Sequence, residues 1–353
     1  MGNNATSTDI IILSDNKTGH LNQSKAVAHL TALDRKKIIR VDYKRKLYRS
    51  LLALLIHLPL SKKGCAFLLK RLLTQKSFQD LLDSPCRLVI SAGASLHAVN
   101  LAVCQIHTAK SIVIMKPPLG RQKKYDLRII PRHDNPKKHP NTVITLGAPT
   151  LMSEMDLDQC GKNLARRLNL SSHGVISLWV GGDSASHQLT VSRTQEIIRH
   201  VQTICNMTQS DLLVTASRRT PPAVNQLLKE KFGAYAPCKL LIIPEENQKE
   251  ESENLVPAMM GLSNLILVTE DSVSMISEAA SSGKKVIVIE IDRFDGLKNK
   301  YRRLMKALIR GGYITTCRTN VLDQTVLAKL KDDTPPKTLR DSVIIRQSLQ
   351  KLL

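Results

Sequence analysis

The chain has 353 residues, a length that favours two domains over one. Hydrophobic residues make up 42% of it, which excludes a disordered chain, and aromatic residues make up only 3%, which argues against a stacking surface for single-stranded nucleic acid. The 52 Lys and Arg residues against 30 Asp and Glu give a net charge of +22, which favours anionic partners: nucleic acid, acidic lipid surfaces or phosphorylated substrates.

Strand-like and helix-like segments alternate along the first half, as in a parallel α/β sheet. The helix that follows the opening strand is predicted at about Asn22 to Leu33, and another at His97–Ile106. The predicted strands of this half are Asp9–Leu13, Ile38–Val41, Leu88–Ser91, Ser111–Met115, Leu127–Ile130 and Thr142–Thr145.

The second half repeats this alternation. Its predicted strands are Val175–Val180, Leu212–Ala216, Lys239–Ile243, Leu265–Thr269 and Lys285–Ile291. Its predicted helices are Met152–Leu170, Thr190–Cys205, Pro222–Lys231, Val273–Ser281 and Asn299–Arg310. We therefore expect two Rossmann-like domains, residues 1–160 and 161–353, with the amphipathic segment Leu339–Leu353 as a closing helix that packs back on the N-terminal domain.

The segment Tyr43–Leu73 differs from the rest, because leucines cluster in it between blocks of Lys and Arg and Pro59 interrupts it. Its apolar part is too short to cross a bilayer. One interpretation is a basic helix pair that lies on an anionic membrane surface, and the other is two ordinary helices with solvated basic edges.

The seven cysteines are scattered along the chain, their number is odd, and the sequence has no Cys-x-x-Cys motif. We therefore expect neither a disulfide framework nor a zinc cluster, and a reducing cytoplasm fits best. No His/Cys/Asp set has the spacing of metal ligands, and we expect no metal site. The N-terminus does not resemble a secretory signal. The expected location is cytoplasmic, with peripheral attachment to the inner membrane face under the membrane interpretation of Tyr43–Leu73.

The stretch SDNKTGHLNQS follows the first strand and places small, polar residues at the carboxyl end of the sheet, where open α/β sheets bind ligands. Gly19 permits a turn that other residues avoid, and Asn22 or Ser24 can cap the next helix. His20 is a candidate general base. The alternative is a plain turn in which Asp15, Asn16 and His20 only satisfy backbone groups.

LWVGGDSASHQLT ends a second-half strand in Gly181 and Gly182, whose missing side chains let the backbone approach a ligand. Ser184 and Ser186 can donate to phosphate oxygens near the next helix, although Asp183 is unfavourable there. The motif is neither a Walker A loop nor Gly-x-Gly-x-x-Gly, which argues against ATPases and dehydrogenases. A tight structural turn is the alternative.

LLVTASRRTPP delivers Arg218 and Arg219 to the end of the next strand, and guanidinium groups suit a diphosphate better than most side chains. A solvated basic turn is the alternative.

In LVTEDSVSMISEAASSG, Ser272 can cap a helix, and Ser274 and Glu278 lie one turn apart on it. The helix start can bind phosphate and the carboxylate can hold the two hydroxyls of a ribose, or the segment is an ordinary βαβ unit.

These four motifs, together with the Lys300–Leu304 helix and the GGYI at Gly311–Ile314, resemble the elongated-mitochondria or mitochondrial fission family, whose bacterial members are commonly labelled glycosyltransferases. The resemblance runs from about Asp9 to Ile314. It implies a GT-B-like fold, in which two Rossmann-like domains face each other across a cleft. Many members open with a Gly-Lys-Pro-Gly-His-like motif, whereas this chain has Asn16-Lys17-Thr18-Gly19-His20.

The resemblance further implies a transfer of sugar from a nucleotide-diphosphate donor to a saccharide or lipid-linked acceptor, such as a lipopolysaccharide-core saccharide, without a required metal or other cofactor. The second domain would bind the donor, and His20 of the first would be the catalytic base. The implied donor-binding residues are Gly181, Gly182, Ser184, Arg218, Arg219, Ser272, Ser274 and Glu278. The implied acceptor loop comprises Ser14, Asp15, Gly19, Asn22 and Gln23.

Two other classes of function stay open. One is a nucleotide-sugar epimerase of the same fold, which would need no acceptor site. The other is a non-enzymatic, membrane-associated scaffold, as the fission label suggests. Nucleic acid is not an expected partner, because no recognition motif or aromatic surface accompanies the positive charge.

Overall fold

A computed structural model describes residues 8–117, 124–150, 154–184, 186–244, 249–294 and 299–353. The chain forms two compact units. The N-terminal unit is Met1–Leu151 together with Arg340–Leu353, and the C-terminal unit is Met152–Leu339.

The N-terminal unit contains a parallel sheet of six strands, and every strand lies where the sequence predicts one, within two residues at either end. The strands are β1 (Ile10–Ser14), β2 (Lys36–Arg40), β3 (Leu88–Ala92), β4 (Lys110–Ile114), β5 (Leu127–Pro131) and β6 (Thr142–Thr145). Its first helices are α1 (Thr18–His29), α2 (Tyr48–Leu55), α3 (Lys62–Leu72), α4 (Gln75–Leu82) and α5 (His97–His107). A short 3₁₀ helix follows β5 at Arg132–Asp134.

Both faces of this sheet are buried, because successive side chains of an apolar strand point to opposite sides. Ile11 and Leu13 pack with the helices from α2 to α5, whereas Ile10 and Ile12 pack on the opposite face. The chain's last helix, Asp341–Leu352, belongs to this unit and buries Ile345 and Leu349 on that opposite face. The Asp341 carboxylate accepts hydrogen bonds from the backbone N–H groups of Leu146 and Gly147. These bonds attach the start of the last helix to the loop that follows β6.

The C-terminal unit contains a second parallel sheet of six strands and a separate two-stranded ribbon. Its strands are β7 (Val175–Val180), β8 (His187–Gln188), β9 (Asp211–Ala216), β10 (Cys238–Ile242), β11 (Leu265–Thr269), β12 (Lys285–Ile289), β13 (Asp292–Arg293) and β14 (Thr315–Cys317). Strands β8 and β13 form the antiparallel ribbon.

The helices of this unit are α6 (Glu154–Ala165), α7 (Val191–Thr208), α8 (Pro222–Phe232), α9 (Lys249–Leu262), α10 (Val273–Ser281), α11 (Asn299–Arg310) and α12 (Leu322–Lys331). A 3₁₀ helix at Thr319–Val321 precedes α12, and the closing helix of the chain is α13. Residues 152 and 153 of the predicted helix Met152–Leu170 lie outside the described residues. The glycines Gly161 and Gly261 bring α6 and α9 into backbone contact.

Candidate functional site

The strand order of the C-terminal sheet, β10-β9-β7-β11-β12-β14, reverses direction between β7 and β11. In sequence order within this unit it is the 3-2-1-4-5-6 arrangement of doubly wound sheets, which bind ligands outside the carboxyl ends of the strands at this reversal. Gly181 follows β7, Glu270 follows β11, and Ser217 follows the neighbouring strand β9. The topology therefore brings three of the predicted motifs to one edge of the sheet.

The loop after β7 is held against the end of β11 by hydrogen bonds. The Gly181 N–H donates to Thr269 Oγ1 at 2.8 Å, and the Gly182 N–H donates to Asp271 Oδ2 at 2.9 Å. A Cβ at Gly181 would overlap the Asp271 carboxylate, and a Cβ at Gly182 would overlap the Arg219 carbonyl. The paired glycines are thus required by the packing of the three loops on one another, a reason that the sequence alone does not reveal.

Arg219 is positioned by Asp271, whose side chain is fully buried. The Arg219 guanidinium donates to Asp271 Oδ2 at 2.9 Å and to the Asp183 carbonyl at 2.9 Å, and 43% of its side chain stays exposed. Its other N–H donors have no partner in the described part of the chain. Arg218, beside it, is exposed. Two guanidinium groups therefore lie at the end of β9, and Asp271 fixes that of Arg219.

Helix α10 starts at Val273 with Ser272 at the N-cap position, as predicted, but the Ser272 hydroxyl makes no capping hydrogen bond. Ser272, Ser274 and Glu278 are all half-buried. Among the described residues, none of these three side chains has a hydrogen-bond or ion-pair partner. The start of α10 thus presents two hydroxyl groups and backbone N–H groups that a bound anion can use.

Glu278 lies one helical turn after Ser274, on the same face of α10. Burial raises the pKa of its carboxyl group to about 7. A carboxyl group that is desolvated and unpaired is costly to keep unless a ligand contacts it. The position and chemistry of Glu278 suit the two adjacent hydroxyls of a ribose, which a carboxylate can bind together.

Ser184 and Asp183 are used inside their own loop. Ser184 Oγ accepts hydrogen bonds from the N–H groups of Ser186 and His187 at 3.3 and 3.1 Å. Asp183 Oδ1 accepts from the Leu189 N–H at 2.9 Å. The Asp183 carboxylate thus shapes the turn, which accounts for an acid in this loop.

A buried polar cluster beside this edge was missed from the sequence. Glu270, which is 1% exposed, forms two hydrogen bonds with the Arg293 guanidinium at 2.8 and 2.6 Å. The Nε2 atom of His187, in β8, lies 3.6 Å from Glu270 Oε1. Burial lowers the pKa of His187, although the Glu270 and Asp271 charges oppose this. The cluster ties the end of β11 to the ribbon. No spacing in the sequence indicates it, because its members lie on three separate segments.

The sheet of the N-terminal unit has the order β2-β1-β3-β4-β5-β6, which reverses between β1 and β3. Asp15 follows β1, and its carboxylate contacts His20 Nδ1 at 3.0 Å. Ser95, in the loop after β3, donates its hydroxyl to Asp15 Oδ2 at 2.7 Å. Burial would raise the pKa of Asp15, but the hydrogen bonds from His20 and Ser95 outweigh it and lower the pKa to about 2. An ionised Asp15 therefore orients the imidazole of His20.

Two expectations about the opening motif are wrong. Helix α1 begins at Thr18 and its N-cap is Lys17, so neither Asn22 nor Ser24 caps it. Gly19 lies inside the first turn of this helix, and the left-handed residue of the turn is Asn16, with φ 65°. An asparagine tolerates this conformation better than most residues, so the turn forms before the glycine.

The remaining residues of the predicted acceptor loop are dispersed. Ser14 is buried at the end of β1, and its hydroxyl accepts a hydrogen bond from the Asn16 N–H at 3.3 Å. Gln23 is buried on α1, and its side-chain oxygen has no partner in the described structure. Asn22, two residues after His20, lies on a different face of the helix. Asp15 and His20 are the residues of this motif that the structure brings together.

The loop after β3 was not predicted as part of the site. Gly93 has φ 92°, and a Cβ there would overlap the His20 imidazole. His97, at the start of α5, is buried, and burial together with the charge of His20 lowers its pKa to about 4. The signal was available, because SAGASLH places a glycine and a serine directly after a buried strand. No group of three or more acidic, His or Cys side chains among the described residues could hold a metal ion.

Residues 18–335 match the model of the family described as Mitochondrial fission ELM1, and the chain belongs to this family. The uncharacterized protein RP120 of Rickettsia prowazekii (strain Madrid E) is 33% identical over 87 residues, which are 25% of this chain and 23% of that protein. The match thus spans less than a quarter of the length of this curated relative.

Three solved structures share the fold at low sequence identity. UDP-GlcNAc 2-epimerase from Neisseria meningitidis, bound to UDP-GlcNAc, has 13% identity and a TM-score of 0.53, with 98% of this chain and 100% of that chain covered. UDP-GlcNAc 2-epimerase from Methanocaldococcus jannaschii, in complex with UDP-GlcNAc and UDP, has 12% identity and a TM-score of 0.52, covering 98% and 99%. MurG from Acinetobacter baumannii has 12% identity and a TM-score of 0.50, covering 98% and 99%. The predicted α/β, GT-B-like fold class is confirmed.

Proposed function

We propose that this protein is a glycosyltransferase that moves a sugar from a nucleoside diphosphate sugar to a saccharide or lipid-linked acceptor, without a required metal ion. The observation that carries the proposal is the set of polar groups at the strand reversal of the C-terminal sheet. Guanidinium groups follow β9. Ser272 lies at the N-cap position of α10, the helix that follows β11, Ser274 and Glu278 lie on it, and none of the three side chains has a partner among the described residues. The solved structures with the same fold include proteins bound to UDP-GlcNAc, which fits a donor of this class.

The diphosphate of the donor is assigned to the start of α10 and to Arg218 and Arg219. A helix N-terminus favours negative charge, and guanidinium groups donate to phosphate oxygens in a fixed plane. When the sugar leaves, negative charge grows on the diphosphate, so donors held in place before the reaction stabilise the transition state. Asp271 supplies this placement by fixing Arg219.

The ribose is assigned to Glu278, because its carboxyl group is half-buried and unpartnered in the described structure. Ser274, one turn earlier on the same face, lies between this carboxyl group and the start of the helix. A nucleoside diphosphate that extends along this face would place its phosphates at the first turn and its ribose one turn later.

The base is His20, and the acceptor is assigned to the N-terminal unit. Asp15 holds His20 Nδ1, which leaves Nε2 to take the proton of an acceptor hydroxyl. The imidazolium that forms is then stabilised by the ionised carboxylate of Asp15. His20→Ala should abolish transfer, whereas Asp15→Asn should slow it about a hundredfold, since the imidazole keeps its place but loses the charge beside it.

Thermal unfolding with and without nucleoside diphosphates and their sugars tests the donor site. A ligand at a hundred times its Kd stabilises the protein by about 2.7 kcal/mol. We expect one ligand of the panel to stabilise the wild-type chain but neither Arg218→Ala nor Glu278→Ala. Arg199→Ala, which removes an exposed arginine on α7, should respond like the wild type. A panel in which no ligand stabilises the wild type would contradict the proposal and favour a scaffold.

Epimerisation is distinguished by incubating the protein with the bound sugar nucleotide in deuterated water and no acceptor. A glycosyltransferase should leave the carbon-bound hydrogens of the sugar unexchanged. Deuterium at a ring carbon would instead identify an epimerase with the same donor site. Transfer itself is then measured with radiolabelled donor and membrane extracts as the source of acceptor.

A further inference from the structure

Helix α2 presents a stripe of leucines to solvent. Leu47, at its N-cap, is 74% exposed and Leu54 is 66% exposed, with Leu51 between them on the same face. At 100° per residue these three positions fall within an arc of about 60°. Leu58, in the turn after the helix, and Phe67, on α3, are also exposed.

The opposite side of α2 already serves the core. Leu52 and Ile56 are buried there with residues of α3 and α5. The exposed leucines are therefore additional to those that fold the segment. An exposed apolar stripe on a surface helix indicates a site that binds another protein, a membrane or an apolar ligand.

The same segment is strongly cationic. Between Tyr43 and Leu73 there is no Asp or Glu, and the eight basic residues are Lys44, Arg45, Lys46, Arg49, Lys62, Lys63, Lys70 and Arg71. None of them forms an ion pair with a carboxylate in the described structure. Arg71 stacks over the Phe67 ring at 5.4 Å, so a cation lies directly beside an exposed aromatic side chain.

No described helix is long and apolar enough to cross a bilayer. We infer that α2 and α3 form a docking surface for an anionic lipid bilayer, with the leucine stripe in the boundary between headgroups and acyl chains and the basic residues at the lipid phosphates. The charge pattern favours lipid over a second copy of this chain, because a copy with the same basic segment would repel it. Docking on the membrane would bring the protein to a lipid-linked acceptor, and in this one respect the inference rests on the proposed function.

The test is sedimentation of the full chain with vesicles, without nucleotide. One vesicle is phosphatidylcholine alone, and the other contains phosphatidylcholine and phosphatidylglycerol in equal amounts. We expect binding to the anionic vesicle only, with weaker binding at high salt. Lys46→Glu with Arg49→Glu should weaken binding by about thirtyfold or more, because two attractions to the lipid phosphates are lost and two repulsions replace them. Separately, Leu47→Ser with Leu54→Ser should weaken binding about tenfold.

Helix α13 offers matched controls, because it carries exposed residues of both kinds in the same unit. Arg346→Glu with Lys351→Glu makes the same change of net charge, and Val343→Ser with Ile344→Ser removes two exposed apolar side chains. Both controls should bind anionic vesicles like the wild type, and all variants should keep the wild-type melting temperature.

The inference is overturned if the controls lose binding as much as the α2 variants, or if the wild type does not bind anionic vesicles. It is also overturned if the leucine variants convert a dimer into a monomer, since the stripe then covers a second copy. Vesicle binding is measured without donor, so its failure leaves the donor site intact. A chain that binds vesicles but no nucleotide would refute the proposed function alone.

Discussion

Replacing Asp271 by Asn tests the arrangement of the C-terminal site most sharply. The Asp271 carboxylate accepts three hydrogen bonds: from Thr269 Oγ1 at 2.7 Å, from the Gly182 N–H at 2.9 Å and from Arg219 at 2.9 Å. An Asn side chain has one acceptor oxygen in place of two and carries no charge. It can keep the bonds to Gly182 and Arg219 in weakened form, but its amide then faces the Thr269 hydroxyl.

The cost follows from these three bonds. A hydrogen bond to a charged group contributes about 1.5 to 3 kcal/mol, roughly twice the value for neutral partners. Two bonds lose their charge and one must rearrange, which together cost about 3 kcal/mol. For a domain of the size of Met152–Leu339, this corresponds to a fall in Tm of about 6 to 12 °C.

Tryptophan fluorescence reports this unit specifically. Trp179 is the only tryptophan of the chain, and it is fully buried in β7, two residues before Gly181. Its emission should move to longer wavelength when the C-terminal unit unfolds. The melting curve followed in this way therefore excludes signal from the N-terminal unit.

Asp292→Asn is the matched control. The Asp292 carboxylate also contacts an arginine, Arg193, at 3.0 Å and accepts from Thr190 at 3.3 Å, but 43% of its side chain is exposed. Exposed ion pairs contribute about 0 to 1 kcal/mol, so its Tm should stay within about 3 °C of the wild type. Equal melting temperatures for Asp271→Asn and the wild type would refute the view that the buried carboxylate holds the three loops together.

Gly93→Ala should place a methyl group against the His20 imidazole at a backbone angle of φ 92°, and we expect a loss of about 2 to 4 kcal/mol, measured by urea unfolding followed by circular dichroism. Gly261→Ala should force α6 and α9 apart, because its Cβ would overlap the Leu157 carbonyl. We expect the free energy of unfolding to fall by about 2 to 3 kcal/mol. An unchanged unfolding midpoint would contradict the close crossing of these helices. Glu278 has its pKa raised to about 7 from an ordinary 4.5, so the unfolded chain ionises first and stability should fall as pH rises from about 4.5 to 7. The free energy of unfolding of Glu278→Gln should match that of the wild type near pH 4 and exceed it by about 3 kcal/mol at pH 8. Equal pH profiles would show that the carboxyl group is not desolvated.

Much of the fold could be predicted because buried parallel strands are continuous apolar segments. Val175–Val180 and Leu265–Thr269 were predicted with the bounds that the structure has. The short strand β14, Thr315–Cys317, and the two-residue strands β8 and β13 were not, since so few residues show no periodicity. Helix α9 was missed because Pro257 lies inside it, where a proline normally indicates the end of a helix.

The candidate site was predictable only as residue types at strand ends. Arg219 stands out in the sequence because it follows an apolar strand, and Glu278 because it lies one helical turn after Ser274. Their surroundings depend on strand order, which no local pattern contains. The pairing of Asp271 with Arg219 and the bond from Ser95 to Asp15 arise because β9 and β11 both pair with β7, and β3 pairs with β1.

The contact between Asp15 and His20 could not be predicted from their spacing in the sequence. The alternative interpretation of the opening motif lets Asp15 and His20 only satisfy backbone groups of a turn. In the structure the two side chains contact each other, because α1 starts at Thr18 and turns the imidazole back toward Asp15. The position of a helix start thus decided whether two polar residues form a pair.

A crystal structure of the chain with the nucleoside diphosphate that stabilises it most is the most direct test of the proposed donor site. The ligand should have its phosphates at the start of α10 and beside Arg218 and Arg219, with its ribose hydroxyls on Glu278. A nucleotide bound anywhere else, with Ser272, Ser274 and Glu278 still unpartnered, would contradict the account.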